Sequence, residues 1–153
     1  MKQVKITLLF LILNFGGLGL GSFLMNNGPL SVWYSNLDKA PWTPPGIVFG
    51  IAWTLIMICF SIYLGKLFLK SNTSKNKFLF LFQFILNVSW NFVFFNQHQV
   101  FLGFINIILL TVFIFLYFFK FSTATKNYKF LLLPYMIWLC IATSLNFYIL
   151  IHN

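Results

Sequence analysis

Apolar residues run along this chain with few interruptions, and most of the interruptions are short. About 20 consecutive apolar residues carry a helix across a hydrocarbon core of about 30 Å. Windows of that kind recur five times, at residues 6–25, 46–69, 78–95, 100–119 and 130–151. The windows lack the alternating polar positions of a barrel strand, and lipid offers no partners to backbone N–H and C=O groups, so each window predicts a helix. The breaks are short except the first, residues 26–45. No internal repeat or low-complexity tail is evident. The pattern predicts an all-α membrane protein, with a single domain over residues 1–153 folded as a five-transmembrane-helix bundle.

Composition agrees with the pattern. The chain is 60% hydrophobic and 7% charged, with a mean hydropathy of +0.89, which leaves too little polar surface to cover a water-soluble globule. Lys2 and Lys5 ahead of the first run resemble the front of a secretory signal, but the run is long for that. Gly16 to Ser22 offers no small-x-small cleavage site, so the segment reads as a helix that is kept. Within it, Gly17 and Gly21 form a GxxxG that would let another helix approach closely.

The lysines set an orientation. With five spans, Lys2, Lys5, Lys66, Lys70, Lys75, Lys77, Lys120, Lys126 and Lys129 fall on one side, whereas Lys39 faces the other beside Asp38, the only acidic residue. Such a bias places the N-terminus in the cytoplasm and the first loop outward. The formal charge of +9 comes from lysines in the breaks rather than from a folded basic face, so it gives no reason to invoke nucleic acid. The absence of arginine, with heavy use of Lys, Asn, Ile and Phe, suggests an AT-rich bacterial genome and a bacterial cell membrane. Cys59 and Cys140 fall inside apolar runs and read as small buried hydrophobes.

Composition also narrows the chemistry. Asp38 lies in a loop and both histidines, His98 and His152, lie near helix ends, so a proton-driven pump or an intramembrane protease is disfavoured. Two separated histidines without further acidic or cysteine partners do not make a metal site. What remains is aromatic and amide-rich. Gln83, Asn87 and Asn91 repeat every four residues along one face of the third helix, with Trp90 beside them; they read either as glue between helices or as a pocket wall. In the fifth helix, Pro134 predicts a kink near the start, and Trp138, Ala142 and then Leu145 or Asn146 share a face. Ala142 fits either a cavity floor or a close helix contact. Thr43 before Pro44 and Pro45 predicts an N-cap and a second helix starting at Pro44. Trp53 lies deep in that helix, whereas Trp33, Tyr34 and Trp42 suit the interfacial belt.

Four stretches taken together, WYSNLDKAPWTPP, FGIAWT, QFILNVSWNFVFF and LLPYMIWLCIATSLN, resemble the signatures of the translocator protein family, TspO/MBR, also called tryptophan-rich sensory proteins or peripheral-type benzodiazepine receptors. FGGLGLGS resembles the family's glycine-rich first helix. The resemblance covers nearly the whole chain and implies a five-helix bundle, often a homodimer, with a pocket opening under the first loop. It implies a membrane receptor or sensor that binds porphyrins such as protoporphyrin IX or heme, and other planar hydrophobic ligands, with no obligatory cofactor. The resemblance assigns Tyr34, Trp42, Asn87, Trp90, Ala142, Leu145 and Asn146 to the pocket or its lid. Trp53 and Trp138 match the tryptophans implicated in light- and oxygen-dependent porphyrin breakdown, the enzymatic alternative, while a transporter of small amphiphiles is disfavoured by the lack of an inverted repeat. Lys39 in the lid is the outward cation that would meet a propionate. The sequence departs from the family pattern at Ala40–Pro41, where the proline falls one place late, at Met57 for a common tyrosine, and at Asn106 for a frequent acid. After Tyr148, only His152 stands where the animal cholesterol-recognition segment has a basic residue.

Overall fold

The computed structural model describes all residues, Met1–Asn153, and is helical throughout, without strands. Five helices are long and apolar enough to cross a membrane. α1 spans Lys2–Leu24, and a 3-10 turn at Gly28–Leu30 leads into the short α2, Val32–Ser35. α3 spans Gly46–Lys70, α4 Ser74–Asn91, and α5 Val100–Lys120. A short α6, Ser122–Thr125, and a 3-10 stretch, Lys126–Leu132, lead into α7, Leu133–His152. The four connections between the five long helices alternate ends of the bundle, so the nine lysines other than Lys39 gather at the end away from the first loop.

α1 packs against α3 and α4, and α5 packs against α4 and α7. The core is largely aromatic: Phe60, Tyr63, Tyr117 and Tyr135 are almost wholly buried, and Phe60 lies edge-on to Tyr117 at 5.9 Å and to Tyr135 at 5.4 Å. Large apolar side chains on the outer faces, such as Ile12, Phe23, Ile51, Phe101 and Ile137, are exposed, as a lipid-facing surface requires.

The GxxxG works inside the chain. A Cβ built on Gly17 would meet the Phe84 ring at 2.5 Å, and one on Gly21 would meet Asn91 Nδ2 at 2.6 Å, so these glycines let α1 seat against α4. Buried polar links add to the packing. Asn14 donates to Ser61 Oγ at 2.9 Å, and Ser61 donates to the Met57 carbonyl at 2.7 Å.

Three local expectations are corrected. α3 begins at Gly46 rather than Pro44, because the Thr43 hydroxyl donates to the Ala40 carbonyl at 2.7 Å and closes a loop turn instead of capping the helix. Pro134 does not kink a helix already under way. It sits in the first turn of α7, where its missing N–H costs nothing, and the preceding residues form the 3-10 stretch. Cys140 is exposed on the outer face of α7 rather than buried, and Cys59 is half-buried.

Candidate functional site

α4 and α7 face each other across the bundle and are tied by side chains at two heights. Gln83 Nε2 donates to the Tyr135 hydroxyl at 3.1 Å, and Trp90 Nε1 donates to Asn146 Oδ1 at 3.3 Å. Gln83 and Trp90 stand about 10 Å apart along the helix axis, given a rise of about 1.5 Å per residue. Between those ties α4 carries Asn87, half-buried and party to neither bond, while α7 carries Trp138 and the small Ala142. A minimal side chain and an unengaged amide thus lie at the level between two hydrogen-bonded struts, with aromatic rings around them.

The rings arrive from three helices. On α7, Trp138, Ala142, Leu145 and Asn146 are all less than 9% exposed, as the shared helical face predicts. From α3, Trp53 is half-buried and meets Tyr135 edge-on at 5.8 Å, while Phe49 meets Trp138 edge-on at 5.0 Å. From α4, Trp90 stacks on Phe94 at 5.1 Å and 10°. Phe94 belongs to a π-turn, Phe92–Asn96, closed by the Gln97 amide on the Phe92 carbonyl at 3.0 Å. Turns of this kind cluster at functional sites because the extra residue re-aims side chains. Asn146 also donates to the Ala142 carbonyl at 2.9 Å, which holds its oxygen toward Trp90.

The first loop closes the top. Tyr34 is half-buried and edge-on to Phe95 at 5.2 Å; loss of solvent around it pushes its hydroxyl pKa above the usual 10.0. Trp33 lies edge-on to Phe94 at 5.6 Å and stacks on His98 at 4.2 Å. Trp42 is 55% exposed: its indole N–H donates to Ser144 Oγ at 3.2 Å and its ring meets Tyr148 edge-on at 5.5 Å, so it sits at the rim rather than in the interior. Lys39 turns back on its own loop. Its ammonium donates to the carbonyls of Tyr34, Ser35 and Leu37 at 2.9, 3.1 and 3.0 Å, which uses its three protons to cap α2 rather than to meet a carboxylate from outside.

The structure thus joins Trp90 to Asn146, buries Trp138, Ala142, Leu145 and Asn146 along α7, leaves Asn87 half-buried on α4, sets Trp53 against Tyr135, and holds Tyr34 and Trp42 in the first loop. Sequence reasoning missed Tyr135, although it shares the helical face of Trp138 and Ala142. It also missed Ser144 and Asn153 as seats for the loop, which no local periodicity signals. Of the amide stripe, Gln83 serves as helix glue, Asn91 packs at Gly21, and Asn87 alone is left for the interior.

The TspO/MBR family model matches residues 8–152. The "Tryptophan-rich protein TspO" of Chlorobaculum tepidum is 34% identical over 126 residues, covering 80% of each chain. The protein of the same description from Archaeoglobus fulgidus is 33% identical, covering 100% of this chain and 97% of its own. A "Tryptophan-rich sensory protein" of Cereibacter sphaeroides is 28% identical over 75% of this chain and 73% of its own.

Proposed function

Since this chain belongs to the TspO/MBR family and is a multi-pass membrane protein, we propose that it is a membrane sensor whose interior site binds a porphyrin such as protoporphyrin IX or heme. The observation that carries the proposal is the level between the Gln83–Tyr135 and Trp90–Asn146 ties, at which α4 carries the unengaged Asn87 and α7 carries Trp138 and Ala142. A flat aromatic macrocycle gains most from such walls, because burial of its faces supplies the affinity and offset or edge-on ring contacts supply the fit. Asn87 and Asn146 orient its polar edge. The loop residues Tyr34 and Trp42 cover it. With nine lysines at the opposite end, the positive-inside rule puts that end in the cytoplasm and the first loop outside.

The test is a dark absorbance titration of the purified protein with protoporphyrin. A shifted porphyrin band saturating at about one per chain, weakened when Trp53→Phe and Trp138→Phe are combined, supports the reading; no saturable shift refutes it.

A second reading makes the protein an enzyme that breaks down bound porphyrin under light and oxygen. It is favoured by the contact between Trp53 and Tyr135, which sets two oxidisable rings side by side at the wall. Product formed beyond one equivalent per chain under light supports this reading, and bleaching that stops at one equivalent contradicts it.

A further inference from the structure

At the lysine-rich end, a groove of about 420 Å³ lies between the start of α4 and the end of α5, lined by Ser74, Lys75, Phe78, Leu79 and Lys120. Its floor is apolar and its mouth is cationic. Lys75 stands one helical turn before Phe78, and Lys120 is the last residue of α5. The only carboxylate side chain in the sequence, Asp38, is in the first loop at the other end, so neither ammonium has an acidic partner here. The first turn of α4 contains no acidic residue, although its amides and dipole make that the most favourable place for negative charge.

The groove continues into a lipid-facing seam. Below it on α4, Phe78, Leu81 and Ile85 are 66%, 53% and 51% exposed, and on α5 Phe119, Leu116 and Val112 are similarly bare. Phe82 of α4 and Phe113 of α5 meet across the seam, with ring centroids 4.9 Å apart. A ligand that fits must carry a negative headgroup at the level of the lysines and a hydrocarbon tail running toward the bilayer centre.

We propose that this groove is a site for one anionic phospholipid, its phosphate between Lys75 and Lys120 and an acyl chain along the Phe78–Ile85 face. Charge complementarity decides the occupant: a zwitterionic lipid gains from the seam and brings a phosphate, but its own cation offsets that charge and is repelled by the two ammoniums. The site is separate from the interior one and does not depend on what that site binds.

The test uses the full chain in detergent, with phosphatidylglycerol or phosphatidylcholine of identical acyl chains added and retained lipid counted by native mass spectrometry. One phosphatidylglycerol per chain should be retained, in preference to phosphatidylcholine, with each lysine contributing about fivefold. The preference should fall away in the Lys75→Gln, Lys120→Gln protein and survive in a Lys2→Gln, Lys5→Gln control. Equal retention of the two lipids, an unaltered preference without Lys75 and Lys120, or displacement of the lipid by inorganic phosphate alone would overturn the proposal.

Discussion

Asp38 and Asn153, 115 positions apart, exchange two hydrogen bonds: the Asp38 amide donates to Asn153 Oδ1 at 2.9 Å, and Asn153 Nδ2 donates to the Asp38 carbonyl at 3.2 Å. The first loop is therefore latched to the end of α7, the helix that also supplies Trp138, Ala142 and Asn146. Trp42 reinforces the latch through Ser144 and Tyr148. Asn153→Ala removes both bonds and should loosen the loop without unfolding the bundle. Both bonds are exposed, so their combined worth is about 1 kcal/mol. Hydrogen exchange in residues 31–42 should accelerate by about fivefold, while exchange in the helices stays unchanged; an unaltered loop would show that the latch is ornamental.

Tyr34 gives the cover a dependence on alkaline pH. Burial raises its pKa above 10.0 when the loop is docked, so the docked loop holds the phenolic proton more tightly than the free loop does. Tyr34 thus contributes its full share to docking below pH 10, and that share is lost as pH rises through the docked pKa. Near-ultraviolet circular dichroism should show the loop aromatics releasing above pH 10. In Tyr34→Phe this release should be displaced or shallower, and identical curves would dismiss the assignment.

The glycines of α1 divide into two classes. Leucine at Gly17 would force the Phe84 ring aside, whereas Gly16 and Gly19 have nothing within 4 Å of a built Cβ. Gly17→Leu should cost about 1–3 kcal/mol, seen as a lower midpoint of thermal unfolding in detergent. Gly16→Leu should fall within about 0.5 kcal/mol of the parent. The reverse order would mean that α1 seats on its other face.

The lower tie between α4 and α7 should behave as a buried pair. Gln83 is 2% exposed and Tyr135 1%. Gln83→Leu strands the Tyr135 hydroxyl and should cost about 1–3 kcal/mol, whereas adding Tyr135→Phe should recover part of that loss. Strict additivity in this double-mutant cycle would show that the 3.1 Å contact carries no coupling.

Much of this architecture is legible in the residues, because lipid makes the backbone rule simple. Five apolar windows must be five helices, and the ends of α1, α3, α4, α5 and α7 fall within a few residues of the windows. The buried face of α7 follows from the spacing of Trp138, Ala142, Leu145 and Asn146 alone. What could not be read are the choices among competing partners. Thr43 could cap a helix or close a turn, and the Ala40 carbonyl wins it. Lys39 could face outward or cap its own loop, and three nearby carbonyls hold it. Gln83 and Asn87 look alike on one stripe, and only the position of Tyr135 separates glue from a group left for the interior. Contacts between residues as distant as Asp38 and Asn153 leave no periodic trace at all.

The porphyrin proposed above would sit at the level around Ala142, between the two ties. This placement is tested by a protoporphyrin titration of the parent protein beside Ala142→Leu, which enlarges the buried side chain at that level. The parent should bind saturably at about one per chain, and binding should be weakened at least tenfold in a variant that keeps its helical content, a loss of about 1.4 kcal/mol. Equal affinity in the two proteins, with the variant folded, would place any porphyrin elsewhere and contradict it.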